Sequence, residues 1–152
     1  MTPEPDKVLY SLLMKSAAER GGRQIAKDDY EGNTQALMGL IMLLTAQEYD
    51  RAADIRVKEN ERMRALFADL APRLEDASLK TRVEEAAALE DEKFTITALN
   101  RTGHRLKDVL IDLHSHIEQQ GADWAKEADA RIWSLMEQSV KSRTLILPQL
   151  GG

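Results

Sequence analysis

The chain has 152 residues, 43% apolar and 31% charged, with a formal net charge of −5 and no cysteine. That length and mixture suit one domain, residues 1–152, with a core and a solvated surface, and the lack of cysteine excludes disulfides, a thiolate nucleophile and Cys-ligated zinc or iron–sulfur sites. Acids and bases interleave along every segment, leaving no continuous positive surface to neutralise phosphates, so nucleic acid is not an expected partner.

Aromatics are only 5% of the chain, and Ala, Leu, Glu, Lys, Arg and Gln dominate, which predicts an all-α fold. The start, Met1-Thr2-Pro3-Glu4-Pro5-Asp6, lacks the basic opening and apolar run of a secretory signal. The longest apolar-rich window, Ala36 to Ala46, is too short to cross a bilayer. A cytoplasmic protein with no membrane partner is expected.

The first helix is predicted from about Asp6 to Arg20, with Pro3 and Pro5 ahead, Asp6 as N-cap and Gly21-Gly22 as the stop. Arg23 to Gly32 carries Ile25 and Tyr30 among polar residues and reads either as a loop with a helical turn or as more of the first helix. Asp28-Asp29 with Glu31 lacks the alternation of a calcium loop, and Gly21-Gly22 lacks the surroundings of a phosphate loop.

The second helix is predicted over about 33–71. Asn33 to Leu70 contains no proline and one glycine, Gly39, and Pro72 disfavours helix at the residue before it. At 1.5 Å per residue it would be about 57 Å long, which implies an elongated antiparallel hairpin or four-helix bundle. Its seam reads Leu37, Ile41, Leu44, Glu48, Ala52, Ile55, Glu59, Met63, Leu66, Leu70. The eleven-residue repeat predicts a nearly straight or slightly right-handed pairing. Glu48 and Glu59 occupy core positions in that seam. They read as partners for Arg or Lys across the hairpin, or as inward metal ligands. A di-metal bundle site needs Glu-x-x-His pairs. Arg101, Ile111 and Leu113 stand three residues before His104, His114 and His116, so that pattern is absent.

The third helix is predicted over about 76–120, from Asp76 or Ser78 to Gly121. Its stripe begins as Leu79, Val83, Ala86 and Ala87 and resumes as Leu99, Leu106, Leu110, Leu113 and Ile117, on nearly the opposite side of a straight helix. Either the helix bends near Asn100 to Gly103 or its halves bury against different partners, with Phe94 and Ile96 covering the transition. His114 and His116 stand about 200° apart on a helix and cannot readily share a metal. His114, at the edge of the leucine stripe, reads as a partly buried, hydrogen-bonded histidine.

The fourth helix is predicted over about 123–147. Trp124, Ala128, Ile132 and Leu135 line one side, while Trp133, Met136 and Val140 spread toward the other. This arc exceeds the roughly 100° that one core needs. Ile132, Trp133, Met136, Val140, Leu145, Ile146 and Leu147 are therefore candidate protein-binding residues, for a partner's amphipathic helix or a second copy of the chain. The alternative is that Val8, Leu9, Leu12 and Leu13 cover the arc from within the chain.

Two resemblances add expectations. Leu43-Leu44 with Gln47-Glu48, then Ala52-Ala53, Glu59-Asn60, the Met63-Leu66-Leu70 ladder, Leu99-Asn100 and Leu106 to Leu113 together resemble small helical export chaperones of the flagellar system, those serving hook–filament junction proteins. The resemblance covers Leu37 to about Leu113. It implies a non-enzymatic, cargo-binding protein without catalytic residues, cofactor or metal, whose C-terminal amphipathic helix engages the cargo through the segment matching Ile132 to Leu147. Separately, His104-Arg105-Leu106-Lys107 resembles the His-x-Leu-Lys core of histidine phosphotransfer domains, which implies a phosphorelay role for His104. That family has a small residue, usually glycine, one turn later. Here Asp108 stands there, and a carboxylate repels an incoming phosphoryl group. A metal-dependent bundle enzyme is the third class considered.

Overall fold

A computed structural model describes residues 4–19 and 30–146. Its elements are α1 (Pro5–Glu19), α2 (Tyr30–Leu70), a 3-10 turn at Ala71–Arg73, α3 (Ala77–Ala87), α4 (Ile96–Glu118) and α5 (Asp123–Arg143), with no strand among the described residues. The fold is all-α. Two compact units form, one from Met1–Ala52 with Leu145–Gly152 and one from Ala53–Thr144, and α2 contributes residues to both.

In the first unit, Glu4 rather than Asp6 caps α1: its carbonyl accepts from the Val8 amide at 3.0 Å. Pro5 takes the first helical position, where a missing N–H costs nothing, and Asp6 falls in the first turn, where the helix dipole favours an acid. The second helix begins at Tyr30, earlier than Asn33, so Gly32 lies in a first turn whose amide bonds are incomplete in any helix. Gly21-Gly22 and the segment up to Asp29 lie outside the described residues. Gly39 sets the approach of α1 to α2, because a Cβ there would stand 3.0 Å from Leu13 Cδ1. Among the described residues of this unit the buried apolar side chains are small, Ala46 and Ala52. Val8, Leu12, Met14, Leu37, Met38 and Ile41 are exposed.

The second unit holds the larger core. Pro72 in the 3-10 turn ends α2 as its ring requires. Met63, Phe67 and Leu70 from α2, Val83 from α3, Leu106, Leu113 and Ile117 from α4, and Ala128 and Ile132 from α5 form one buried cluster. Asp76 caps α3, its carboxylate accepting from the Ser78 and Leu79 amides at 2.9 and 3.0 Å. The Leu79 bond, more than the opposing loss of hydration, keeps the Asp76 carboxyl below its usual range, helped by the Ser78 bond and the nearby His116.

The expected single helix over 76–120 is in fact two. Helix stops at Ala87 and resumes at Ile96 under a Thr95 cap, whose hydroxyl accepts from the Ala98 amide at 3.3 Å. The connector is held from α2. Arg64 donates to the Leu89 carbonyl at 3.2 Å and to Asp91 at 3.0 Å, and Asn60 donates to Asp91 at 2.9 Å and to the Leu99 carbonyl at 3.2 Å. The stripe reversal therefore resolves by a break before Thr95, not by a bend near Asn100 to Gly103. Phe94 does not cover the transition, being 70% exposed, and Ile96 is also exposed.

Candidate functional site

Helices two, four and five leave a groove of about 380 Å³ in the second unit. Its positions follow helical spacing: Glu59, Arg62 and Met63 from α2, Lys107, Leu110, Ile111 and His114 from α4, and Leu135, Met136, Ser139 and Val140 from α5. Met63 and Leu110 form its buried floor, Leu135 and Met136 are half-buried, and Ile111 and Val140 stand exposed at 62% and 70%. Arg62 and Lys107 add two cations to its lining.

Glu59, the apparent flaw in the α2 seam, closes one end. Ser139 donates to its Oε1 at 2.6 Å, and the Arg143 guanidinium holds both carboxylate oxygens, through Nε to Oε1 at 2.8 Å and Nη2 to Oε2. Glu59 does pair with an arginine, but with Arg143 of α5 and not with a cation across the hairpin. Both of its oxygens are engaged by these bonds. Burial alone would raise its carboxyl, but the Arg143 and Ser139 hydrogen bonds and the charges of Arg143 and Lys107 outweigh burial and hold it below the ordinary carboxylate value. Glu48 is half-buried in the first unit.

His114 lies at the other end, half-buried as expected, with Nε2 2.7 Å from Asp129 Oδ1 and its ring meeting the Trp133 ring edge-on, centroids 5.8 Å apart. His116 bonds Gln120 at 3.3 Å. His104 is exposed and borders a separate polar hollow with Arg56, Asn60 and Lys107, and Asp108 on the next turn is exposed too.

The candidate binding residues separate into distinct settings. Met136 and Val140 line the groove. Trp133 is 56% exposed, beside His114. Ile132 is not a surface residue at all: it is fully buried, because it faces the same core as Ala128 one turn earlier. Leu145 and Ile146 belong to the first unit, where Gln47 clamps the Ile146 backbone, accepting its N–H at 2.8 Å and donating to its carbonyl at 2.9 Å. Leu147 lies outside the described residues. Of Val8, Leu9, Leu12 and Leu13, the alternative cover for that face, Val8 and Leu12 are exposed and Leu9 and Leu13 half-buried within the first unit. Among the groove residues that sequence reasoning missed, Arg62 and Ser139 included, Ile111 is the exposed apolar one. Its signal was present, since it follows Lys107 by one turn and widens the Leu106–Leu110–Leu113 stripe.

No helix among the described residues is long and apolar enough to cross a membrane. Compared with known proteins, the chain matches no family model, no curated protein and no solved structure.

Proposed function

We propose that this chain is a non-enzymatic interaction module that takes an amphipathic helix of a partner protein into the groove between α2, α4 and α5. Its most concrete form is a cytoplasmic export chaperone of the kind its sequence resembles, with the groove receiving a helix of the cargo. One observation carries the reading: Ile111 and Val140, both exposed, stand on two walls of a groove whose floor is Met63 and Leu110. Single exposed apolar side chains need no explanation, but a concave apolar patch rimmed by polar groups marks a binding surface. Spaced aliphatic and methionine anchors suit the i, i+3, i+4 stripe of a docked helix. Among the described residues Arg62 and Lys107 are in no salt bridge, and although Lys107 already acts on Glu59, Arg62 is left to favour an occupant helix with acidic residues flanking its apolar stripe.

The test uses two labelled peptides, a leucine-striped helix flanked by glutamates and the same helix flanked by lysines, followed by fluorescence anisotropy. The acidic peptide should bind, weaken as salt rises, and lose binding to the Ile111→Asp/Val140→Asp protein. Both sites are exposed, so that variant should keep its thermal midpoint. Failure of the acidic peptide to bind, or undiminished binding to the double variant, overturns the proposal. For the chaperone form, products of flagellar or secretion genes neighbouring this one should co-purify with the chain, and the same variant should release them.

A further inference from the structure

The hydrogen-bonding of His114 leaves one feature that the groove does not use. Two carboxylates converge on the same ring nitrogen from different directions: Asp129 of α5 at 2.7 Å and Glu118, one turn along α4, at 3.7 Å. The three ligand-type atoms all lie within 4.8 Å of one another. A histidine needs only one acceptor for its Nε2, so the second carboxylate is surplus to hydrogen bonding. On α5 itself, Arg131 pairs with Asp69 and Lys126 with Asp123, so neither neutralises Asp129. Among the described residues, His114 is the only ion-pair partner of Glu118 and of Asp129. With a neutral imidazole the cluster carries two negative charges, the complement of a divalent cation.

We propose that His114 Nε2, Glu118 and Asp129 form a binding site for a borderline divalent transition metal of the zinc type, clipping α4 to α5. Zinc takes imidazole nitrogen and carboxylate oxygen at about 2.0–2.2 Å, which puts two ligands of one tetrahedral ion roughly 3.4 Å apart. The observed separations of 2.7 and 3.7 Å bracket that value. The Glu118 side chain is 59% exposed and the Asp129 side chain 38%, so both are free to make the small rotation required. The ring proton then resides on Nδ1, leaving Nε2 as the donor to the metal. One nitrogen and two carboxylates with a solvent-facing side suit zinc, nickel or copper, whereas magnesium and calcium call for more oxygens than this cluster offers. Trp133, edge-on to the His114 ring, places a reporter beside the ion.

The experiment titrates Zn²⁺ into the full-length protein by calorimetry, with Mg²⁺ as the contrast. Expected are one equivalent of Zn²⁺ with micromolar affinity and no heat from millimolar Mg²⁺. The thermal midpoint should rise by about 10 °C at a hundredfold excess over Kd. His114→Ala and Glu118→Gln should each weaken Zn²⁺ at least tenfold, while His104→Ala and His116→Ala leave it unchanged. Cu²⁺ should quench tryptophan emission in the wild type, and Trp133→Phe should remove most of that quenching without removing binding. Glu118→Gln alters an exposed side chain and keeps the fold, so it guards against misreading an unfolded His114 variant. Absence of saturable binding below 100 µM Zn²⁺ (about a hundredfold above the expected range) overturns the proposal. Equal affinity in the wild type and Glu118→Gln also overturns it. His114 also lines the groove, whereas Glu118 does not, so Glu118→Gln tests the metal site and Ile111→Asp/Val140→Asp the peptide groove, and either result stands without the other.

Discussion

Arg143 and Glu59 form a pair whose two ends differ in exposure, and that asymmetry sets a stability test. The Glu59 side chain is 8% exposed and that of Arg143 42%. Stripping one partner from a fully buried pair costs about 3–5 kcal/mol, because the survivor is left charged in a poor solvent. In Arg143→Met the survivor is the buried carboxylate, still holding the Ser139 hydroxyl, so a loss of about 2–3 kcal/mol is expected after discounting for the solvent that reaches the guanidinium side. In Glu59→Met the survivor is a guanidinium that water already reaches, its side chain being 42% exposed, and a methionine of similar volume extends the Met63 floor, so the cost should stay below about 1 kcal/mol. Urea unfolding followed by helical circular dichroism measures both, and the double variant should recover most of the Arg143→Met loss. The pH dependence supplies a second arm. The folded Glu59 carboxyl lies below its ordinary value of 4.5, so its stabilisation is complete above that value and disappears as pH falls through the lowered native one. The gap between the wild type and Glu59→Met should therefore shift in favour of the variant between pH 7 and pH 3, on the order of the ordinary carboxylate range. A Glu59→Met loss equal to or larger than that of Arg143→Met would refute the reasoning.

Other substitutions probe separate parts of the structure. A Cβ at Gly103 would stand 3.0 Å from Asn60 Oδ1, and Asn60 is fixed by bonds to Asp91 and Leu99; Gly103→Ala should lose about 1–2 kcal/mol alone, yet gain up to about 1 kcal/mol in an Asn60→Ala background, read as a double-mutant cycle by urea unfolding. Leu37 and Ile41 are exposed in the first unit, so the chain should associate with itself in sedimentation experiments, and Leu37→Glu/Ile41→Glu should return it to a monomer without changing unfolding of the second unit. A labelled phosphohistidine donor should leave His104 unmodified, since Asp108 is exposed one turn away; labelling that vanishes in His104→Ala would instead support the phosphorelay reading.

Much of this was legible because helical spacing is local information. The Pro-free run ending at Pro72, the Glu59 irregularity and the partly buried His114 all follow from residues three to eleven positions apart. The stripe reversal between Ala87 and Leu99 was legible too, but not its cause. Leu89 to Lys93 contains neither glycine nor proline, so nothing local marks a break; Asn60 and Arg64 hold it open from 25 to 31 residues away. Gly103 misled for a related reason. Read as a hinge, it is instead a close packing contact against Asn60 inside a regular helix, and spacing along one strand of sequence carries no record of such a contact.

The break also explains how a groove can form. A straight helix over 76–120 would point Leu79 and Val83 away from the side holding Leu106 and Leu113, whereas two helices joined at 88–95 place all four in one core. α5 then meets that core with Ala125, Ala128 and Ile132 in its first half. Its second half turns Met136, Ser139 and Val140 to the groove, where Glu59 interrupts the α2 seam and binds Ser139 and Arg143 in place of an apolar contact. The carboxylate that weakens the seam thus ends the dry core at a defined level. At that level α5 presents Val140, which stands 70% exposed.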